Sequence, residues 1–124
     1  MASVNPQFSR DIGTRDASVV LLSWALSTAN VDGLPFEMPE WADRTWQAVG
    51  SWGGATLSLQ GSNDGSNWFV LSNAAGGTAA TLSANGGLAS IELPRYVRPN
   101  LTTPGSGATV TVSLCARRAT PLRN

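Results

Sequence analysis

Two stretches of this chain fix its structural period. Ala55, Leu57 and Leu59 interleave with Thr56, Ser58 and Gln60, and Val110, Val112 and Leu114 interleave with Thr109, Thr111 and Ser113. Successive side chains of a strand point to opposite sides, so strict alternation marks a strand with one buried and one solvated face. Ala89, Ile91 and Leu93 repeat the pattern against Ser90 and Glu92, which predicts a third inward apolar row. Two packed antiparallel sheets are the natural way to close such a core.

From Ala17 onward the chain is a series of short segments rich in β-branched and aromatic residues, separated by Gly, Pro and Asn. This punctuation predicts about eight strands, near 17–27, 44–50, 55–61, 67–72, 78–83, 87–93, 95–101 and 107–116. At 124 residues there is room for one domain. It is read as an N-terminal arm over 1–16, a β-sandwich over 17–116 and a basic tail over 117–124. The arm shows neither helical nor strand periodicity, and is either disordered or ordered by lying across a neighbouring subunit, with Phe8 and Ile12 as its anchors in the second case.

The run Val19 to Leu26 is too short to span a bilayer, and Asp11 and Asp16 offset the Arg10 and Arg15 that precede it. It reads as a buried strand and not as a signal-peptide core. Residues 28–43 read as a long loop holding Phe36, Met38 and Trp41 beside Asp32, Glu37, Glu40 and Asp43. The three apolar residues either make contacts or cover an open end of the sandwich, and 39–43 could form a single helical turn. Residues 72–87 are rich in Gly, Ala, Ser and Thr, and Leu82 and Leu88 argue for a hairpin with small side chains, with a flexible surface ribbon as the alternative.

Charge and residue inventory exclude several function classes. Eight arginines balance eight carboxylates, with no Lys and no His. A neutral chain lacks the cationic excess that nucleic-acid binding uses to displace counterions, so no nucleic-acid or membrane partner is expected. Absence of His removes the commonest general base and metal ligand, and absence of Lys removes Schiff-base chemistry. No Ser has an evident base partner, and the lone Cys115 lies in an alternating run where it is expected to face the core. No catalytic residue, metal site or cofactor is assigned. Glu37 and Glu40 are the carboxylate pair a glycosidase would need, without specific support from their spacing. Charged residues make up 13% of the chain, about half the usual fraction, which leaves a weakly solvated surface suited to association.

Between two of the strands lies Gly61-Ser62-Asn63-Asp64-Gly65-Ser66-Asn67-Trp68. Asn63 and Asp64 bond readily to nearby backbone, and Gly65 accepts positive φ, so Asn63, Asp64, Gly65 and Trp68 read as a structural hairpin and not as a calcium loop. Five tryptophans are many for a chain of this size. They are expected in the core or at subunit contacts, with stacking on sugar rings as the alternative.

The stretch from Ala55 to Leu101, with Gln60 to Trp68 followed by Pro94-Arg95-Tyr96-Val97-Arg98-Pro99, resembles two groups. It is similar to head decoration, or cement, proteins of tailed bacteriophages, in which a β-sandwich clamps neighbouring major capsid subunits. It also looks like the discoidin or galactose-binding jelly roll, where a similar hairpin and a similar Arg-Tyr-Val-Arg strand recur. The resemblance implies an all-β, antiparallel sandwich of jelly-roll type. The phage resemblance implies a non-enzymatic virion protein on the capsid surface, made in the host bacterial cytoplasm, whose partners are the major capsid protein and copies of itself as a trimer or dimer. Its implied contact residues are Phe8, Arg10, Arg15, Phe36, Trp41, Arg117, Arg118 and Arg123. A carbohydrate-binding module, or a tail or baseplate component, is the alternative.

Overall fold

The computed structural model describes residues 3–4, 7–10, 19–38 and 41–118, with side chains from Val19 onward. Among the described residues twelve strands form two sheets: β1 (Ser3–Val4), β2 (Gln7–Arg10), β3 (Val19–Ser27), β4 (Asp32–Gly33), β5 (Phe36–Glu37), β6 (Trp41–Ser51), β7 (Thr56–Ser62), β8 (Phe69–Val70), β9 (Thr81–Leu82), β10 (Gly86–Ala89), β11 (Tyr96–Thr103) and β12 (Thr109–Arg118). One sheet runs β10-β6-β12-β3-β2. The other runs β1-β4-β11-β7-β8, with β5 also on β11 and β9 also on β7. All pairings are antiparallel except β1 with β4.

The order is that of a jelly roll. The chain passes from β3 in one sheet to β4 and β5 in the other, back to β6, and over again to β7. The late strands then return inside this frame: β12 inserts between β3 and β6, and β11 inserts between β4 and β7. The two longest-range pairings, β12 with β3 and β11 with β4, leave the strands that close the sandwich in its interior positions.

Alternation produces the core. On β12, Val110, Val112, Leu114 and Ala116 are buried; Leu22, Trp24 and Leu26 on β3 and Trp46 and Ala48 on β6 flank them. Leu57, Leu59, Val97 and Leu101 face them from the other sheet. Each strand sheds about 1.5–3 kcal/mol of exposed apolar surface per buried aliphatic side chain.

Four expectations change. Cys115 does not face the core: it is half-buried on the outer face, in register with Leu21 and Thr45, because the period of two groups it with Thr109, Thr111 and Ser113. The row Ala89, Ile91 and Leu93 is likewise reversed. Leu88 and Ser90 are buried, whereas Ile91 and Leu93 are each 53% exposed. Pairing of Leu88 with Trp46 sets that phase, and Ser90 is drawn inward by accepting a 3.0 Å hydrogen bond from Trp46 Nε1. Residues 28–43 are less of a loop than their Pro, Gly and acid content suggests. Asp32–Gly33 and Phe36–Glu37 pair with β11, and Trp41 to Asp43 open β6 as strand where a helical turn was an option. Finally, the N-terminal stretch without strand periodicity supplies β1 and β2, which pair with β4 and β3 of the same chain.

The segment 72–87 divides its pairing between sheets. Ser72 bridges Ala79 across a turn, Thr81–Leu82 joins β7, and Gly86–Ala89 crosses to β6. Small residues suit a ribbon that changes sheets within a few residues.

Candidate binding face

The β7–β8 hairpin is organised by one carboxylate. Asp64 Oδ1 accepts from the backbone amides of Ser66 and Asn67, both at 2.8 Å, and from Ser62 Oγ at 2.9 Å, while Oδ2 accepts from Asn67 Nδ2 at 2.8 Å. The Ser62 hydroxyl in turn accepts from the Gly65 amide at 2.8 Å. Gly65 sits at φ 77°, where a side chain is strained. Hydrogen bonds from Asn67, then Ser66 and Ser62, hold the Asp64 carboxyl well below its ordinary value. Asp64 is thus saturated by its own loop, which is what a register-setting turn requires. Asn63 ties that turn to the neighbouring strand by accepting from the Arg95 amide at 3.2 Å.

Beside the hairpin, β7 and β11 build a polar outer face. Register places Tyr96 opposite Ser62, Arg98 opposite Gln60 and Asn100 opposite Ser58. Arg98 Nε donates to Gln60 Oε1 at 2.8 Å, and its guanidinium stacks 4.2 Å from the Trp68 ring centroid. Burial lowers the Arg98 pKa, with Asp32 acting in the opposite direction. Asn100 Nδ2 donates to Asp32 Oδ1, and Ser58 shares a 3.2 Å hydroxyl contact with Thr102. Arg95 pairs with Glu37 at 2.6 Å and lies 5.3 Å from the Tyr96 ring centroid. The Glu37 hydrogen bond and charge raise the Arg95 pKa. Both partners are about half exposed, so that ion pair contributes little stability and mainly orients its side chains.

A second feature was missed in the sequence. Arg44 is 1% exposed, buried where the Met38–Trp41 segment meets Pro94. Its Nε donates to Trp41 O at 3.0 Å, and Nη2 donates to Met38 O at 2.7 Å and Pro94 O at 3.4 Å. Nη1 has no hydrogen-bond partner among the described residues. Burial pulls the pKa down to about 10, still cationic at neutral pH. Alternation along β6 turns Arg44 inward with Trp46 and Ala48, and a bulge between β6 and β12, where Asp43 adopts φ 49°, shifts the phase so that Trp41 is buried as well. A signal existed: Arg44 lies on the same alternating row as Trp46 and Ala48. Beside it an open cleft of about 410 Å³ is edged by Asp43, Ser90, Ile91 and Leu93.

The residues expected to make contacts are scattered. Trp41 is 3% exposed and belongs to the core, with Arg118 stacked 4.9 Å from its ring centroid, so it offers no apolar anchor at the surface. Phe36 is half-buried against the core and Met38 is fully buried, so this segment covers the sandwich. Arg117 is exposed at the end of β12. Phe8 and Arg10 lie on β2, where the backbone is described; Arg15 and Arg123 lie outside the described residues. Glu37 is engaged by Arg95, and Glu40 lies outside the described residues.

The tryptophans are largely committed. Trp24 and Trp46 are fully buried, and Trp52 packs on the core and donates to Asn85 Oδ1 at 2.8 Å. Half-buried Trp68 has Arg98 over its ring. Among the described residues no cluster of three or more His, Cys, Asp or Glu is placed to hold a metal ion.

No protein-family model matches the chain, and no curated protein matches it. Among solved structures, it is similar to the SPBc2 prophage-derived protein YomS, with a TM-score of 0.54 and 9% identity over 77% of this chain and 94% of that one. At that identity the likeness is one of fold: a β-sandwich with the same overall course is also found in a prophage-derived protein.

Proposed function

We propose that this chain is a non-enzymatic structural protein of a phage virion, of the head decoration type, which binds the outer capsid surface and stabilises the lattice. The observation that carries this reading is the likeness of fold to a prophage-derived protein across 94% of that protein's length. Three features of the molecule support it. The charged fraction is 13%, which favours association over solvation. Asp64 and Glu92, two carboxylates that could serve chemistry, are occupied by their own chain; Glu92 takes 2.7 Å and 2.6 Å hydrogen bonds from the Ser72 amide and hydroxyl. Burial works against the Glu92 carboxylate, but those bonds outweigh it and hold its pKa below the ordinary value. The rings of the tryptophans are also largely covered, which weighs against a sugar-stacking platform.

In this reading the partner is the major capsid protein. The contacts come from Arg10, Arg15, Arg117, Arg118 and Arg123 with Phe8 and Phe36, and Trp41 serves the core instead. A protein that binds only the assembled lattice stabilises it by mass action, opposing separation of subunits. The test is addition of purified protein to undecorated heads of the phage that encodes it. Stoichiometric binding with a raised head melting temperature is expected. Heads that neither bind the protein nor gain stability overturn the reading, and binding to isolated tails instead assigns it to the tail.

A further inference from the structure

Arg98 is an outward-facing cation that the described residues leave partly unsatisfied. Its neighbours Val97 and Pro99 are buried, so its side chain stands on the outer face of the β7–β11 sheet, in a cross-strand row with Gln60 and Val70. Trp68 covers one side of the guanidinium, with its ring centroid at 4.2 Å, and Gln60 Oε1 accepts from Nε at 2.8 Å. An arginine presents five N–H donors in a rigid plane, four of them on its two Nη atoms. Neither Nη has a hydrogen-bond partner among the described residues, and neither is buried. The two carboxylates nearby are engaged elsewhere: Glu37 holds Arg95, and Asp32 accepts from the Asn100 amide. Among the described residues Arg98 therefore makes no ion pair, although Asp32 acts on it at longer range.

We propose that the two Nη groups of Arg98 take a side-chain carboxylate of the major capsid protein, which makes the outer β7–β11 face a contact surface of this chain. The identity of the partner rests on the virion reading above. Geometry sets the mode of binding. With Nε held by Gln60, a carboxylate is received end-on, one oxygen on each Nη. The Trp68 stack and the Gln60 bond already fix the guanidinium plane, so little side-chain freedom is lost when the partner arrives. The cation is also partly stripped of water, and a carboxylate supplied from outside replaces that hydration with two charge-assisted bonds.

The surroundings set the class of ligand. Asp32 and Glu37 lie on or beside the same face and disfavour a doubly charged phosphate, whereas a carboxylate brings one negative charge to the amides of Gln60 and Asn100. Val70, 40% exposed, and half-buried Trp68 and Tyr96 supply apolar surface around the ion pair. Trp, Tyr and Arg are the residue types on which interface energy concentrates. Arg98 and Arg117 stand on different sheets, so one molecule has contact groups on both sides of the sandwich, as a clamp between two capsid subunits requires.

The test is binding of the purified full chain to undecorated heads of the phage that encodes it. Arg98→Gln is expected to weaken binding about tenfold or more, with unchanged circular dichroism. Arg98→Lys keeps the charge without the planar fork and is expected to fall between the two. Ser90→Ala, a destabilised core variant that keeps Arg98, is expected to bind as the wild type does. Intact heads whose surface carboxylates have been amidated with a carbodiimide and ethanolamine are expected to bind the wild type no better than Arg98→Gln. Arg98→Gln binding as tightly as the wild type overturns this proposal and leaves the virion reading standing. A wild-type advantage that survives amidation shows that the ligand is not a carboxylate, and overturns it as well. Heads that bind no form of the chain overturn both.

Discussion

The indole rings of Trp24 and Trp46 stack across the core with centroids 6.0 Å apart and planes inclined by 19°. They come from β3 and β6, the strands on either side of β12, so the stack joins the first half of the chain beneath its last strand. Each indole N–H is also satisfied, Trp24 by Leu34 O and Trp46 by Ser90 Oγ, both at 3.0 Å. Ser90→Ala strands a buried donor and is expected to cost about 1–3 kcal/mol. Trp46→Phe removes that donor together with part of the stack. Because the two changes share one hydrogen bond, urea unfolding of the double variant should show a loss smaller than the sum of the single losses.

Arg44 is a buried cation held, among the described residues, by the backbone carbonyls of Met38, Trp41 and Pro94. Arg44→Ala removes the donors to Met38, Trp41 and Pro94 and opens a cavity, while Met38 O keeps the Trp41 amide. The expected loss is about 3–5 kcal/mol. Arg44→Met keeps much of the volume and removes the desolvated charge, so it should cost less. Thermal unfolding of the two variants checks the order; equal losses would mean that the cavity is not a significant part of the effect.

Asp64 makes the hairpin pH-dependent in one direction. Its folded-state carboxyl lies below the ordinary 3.8, so its contribution to stability is present above that value and lost as pH falls through the folded one. The stability difference between wild type and Asp64→Ala should therefore be constant from neutral pH down to about 4 and shrink at lower pH. Carboxyl chemical shifts report the titration, and amide exchange of Ser66 and Asn67 reports the loop. Gly65→Ala forces a side chain into positive φ and is expected to cost roughly 1 kcal/mol at any pH.

Arg98 joins Trp68 to Gln60, and so the hairpin to the sheet. Arg98→Ala is expected to cost about 1 kcal/mol, a modest value because the site is partly solvated. The Trp68 environment should change with it. A Trp68→Phe background identifies the emission of that ring: if Arg98→Ala shifts the fluorescence equally with Trp68 present or absent, the stacking is not responsible.

The sandwich was legible because eight segments keep strand length between turn residues, and because Val110 to Leu114 and Ala55 to Leu59 show unambiguous phase. Phase failed where both rows are small or apolar. In 88–93, Leu88 and Ser90 compete with Ala89 and Ile91, and the cross-strand pairing of Leu88 with Trp46 decides the matter. Nothing local carries that information. Cys115 was misplaced because its residue type suggested burial, although its position in the alternation pointed outward. Asp64 was readable as a turn residue from its neighbours. Arg44 was harder, because a charged residue implies exposure, although its place in the β6 alternation with Trp46 and Ala48 pointed inward. The stacking of Arg98 on Trp68 joins residues 30 positions apart, a spacing that sequence periodicity does not address.

The most direct test of the central claim is the copy number of this chain in purified phage particles, measured by quantitative mass spectrometry against the major capsid protein and located by electron microscopy. The account predicts a fixed ratio to the capsid protein, with density on the outer head surface. A chain abundant in infected cells but absent from purified particles would contradict it.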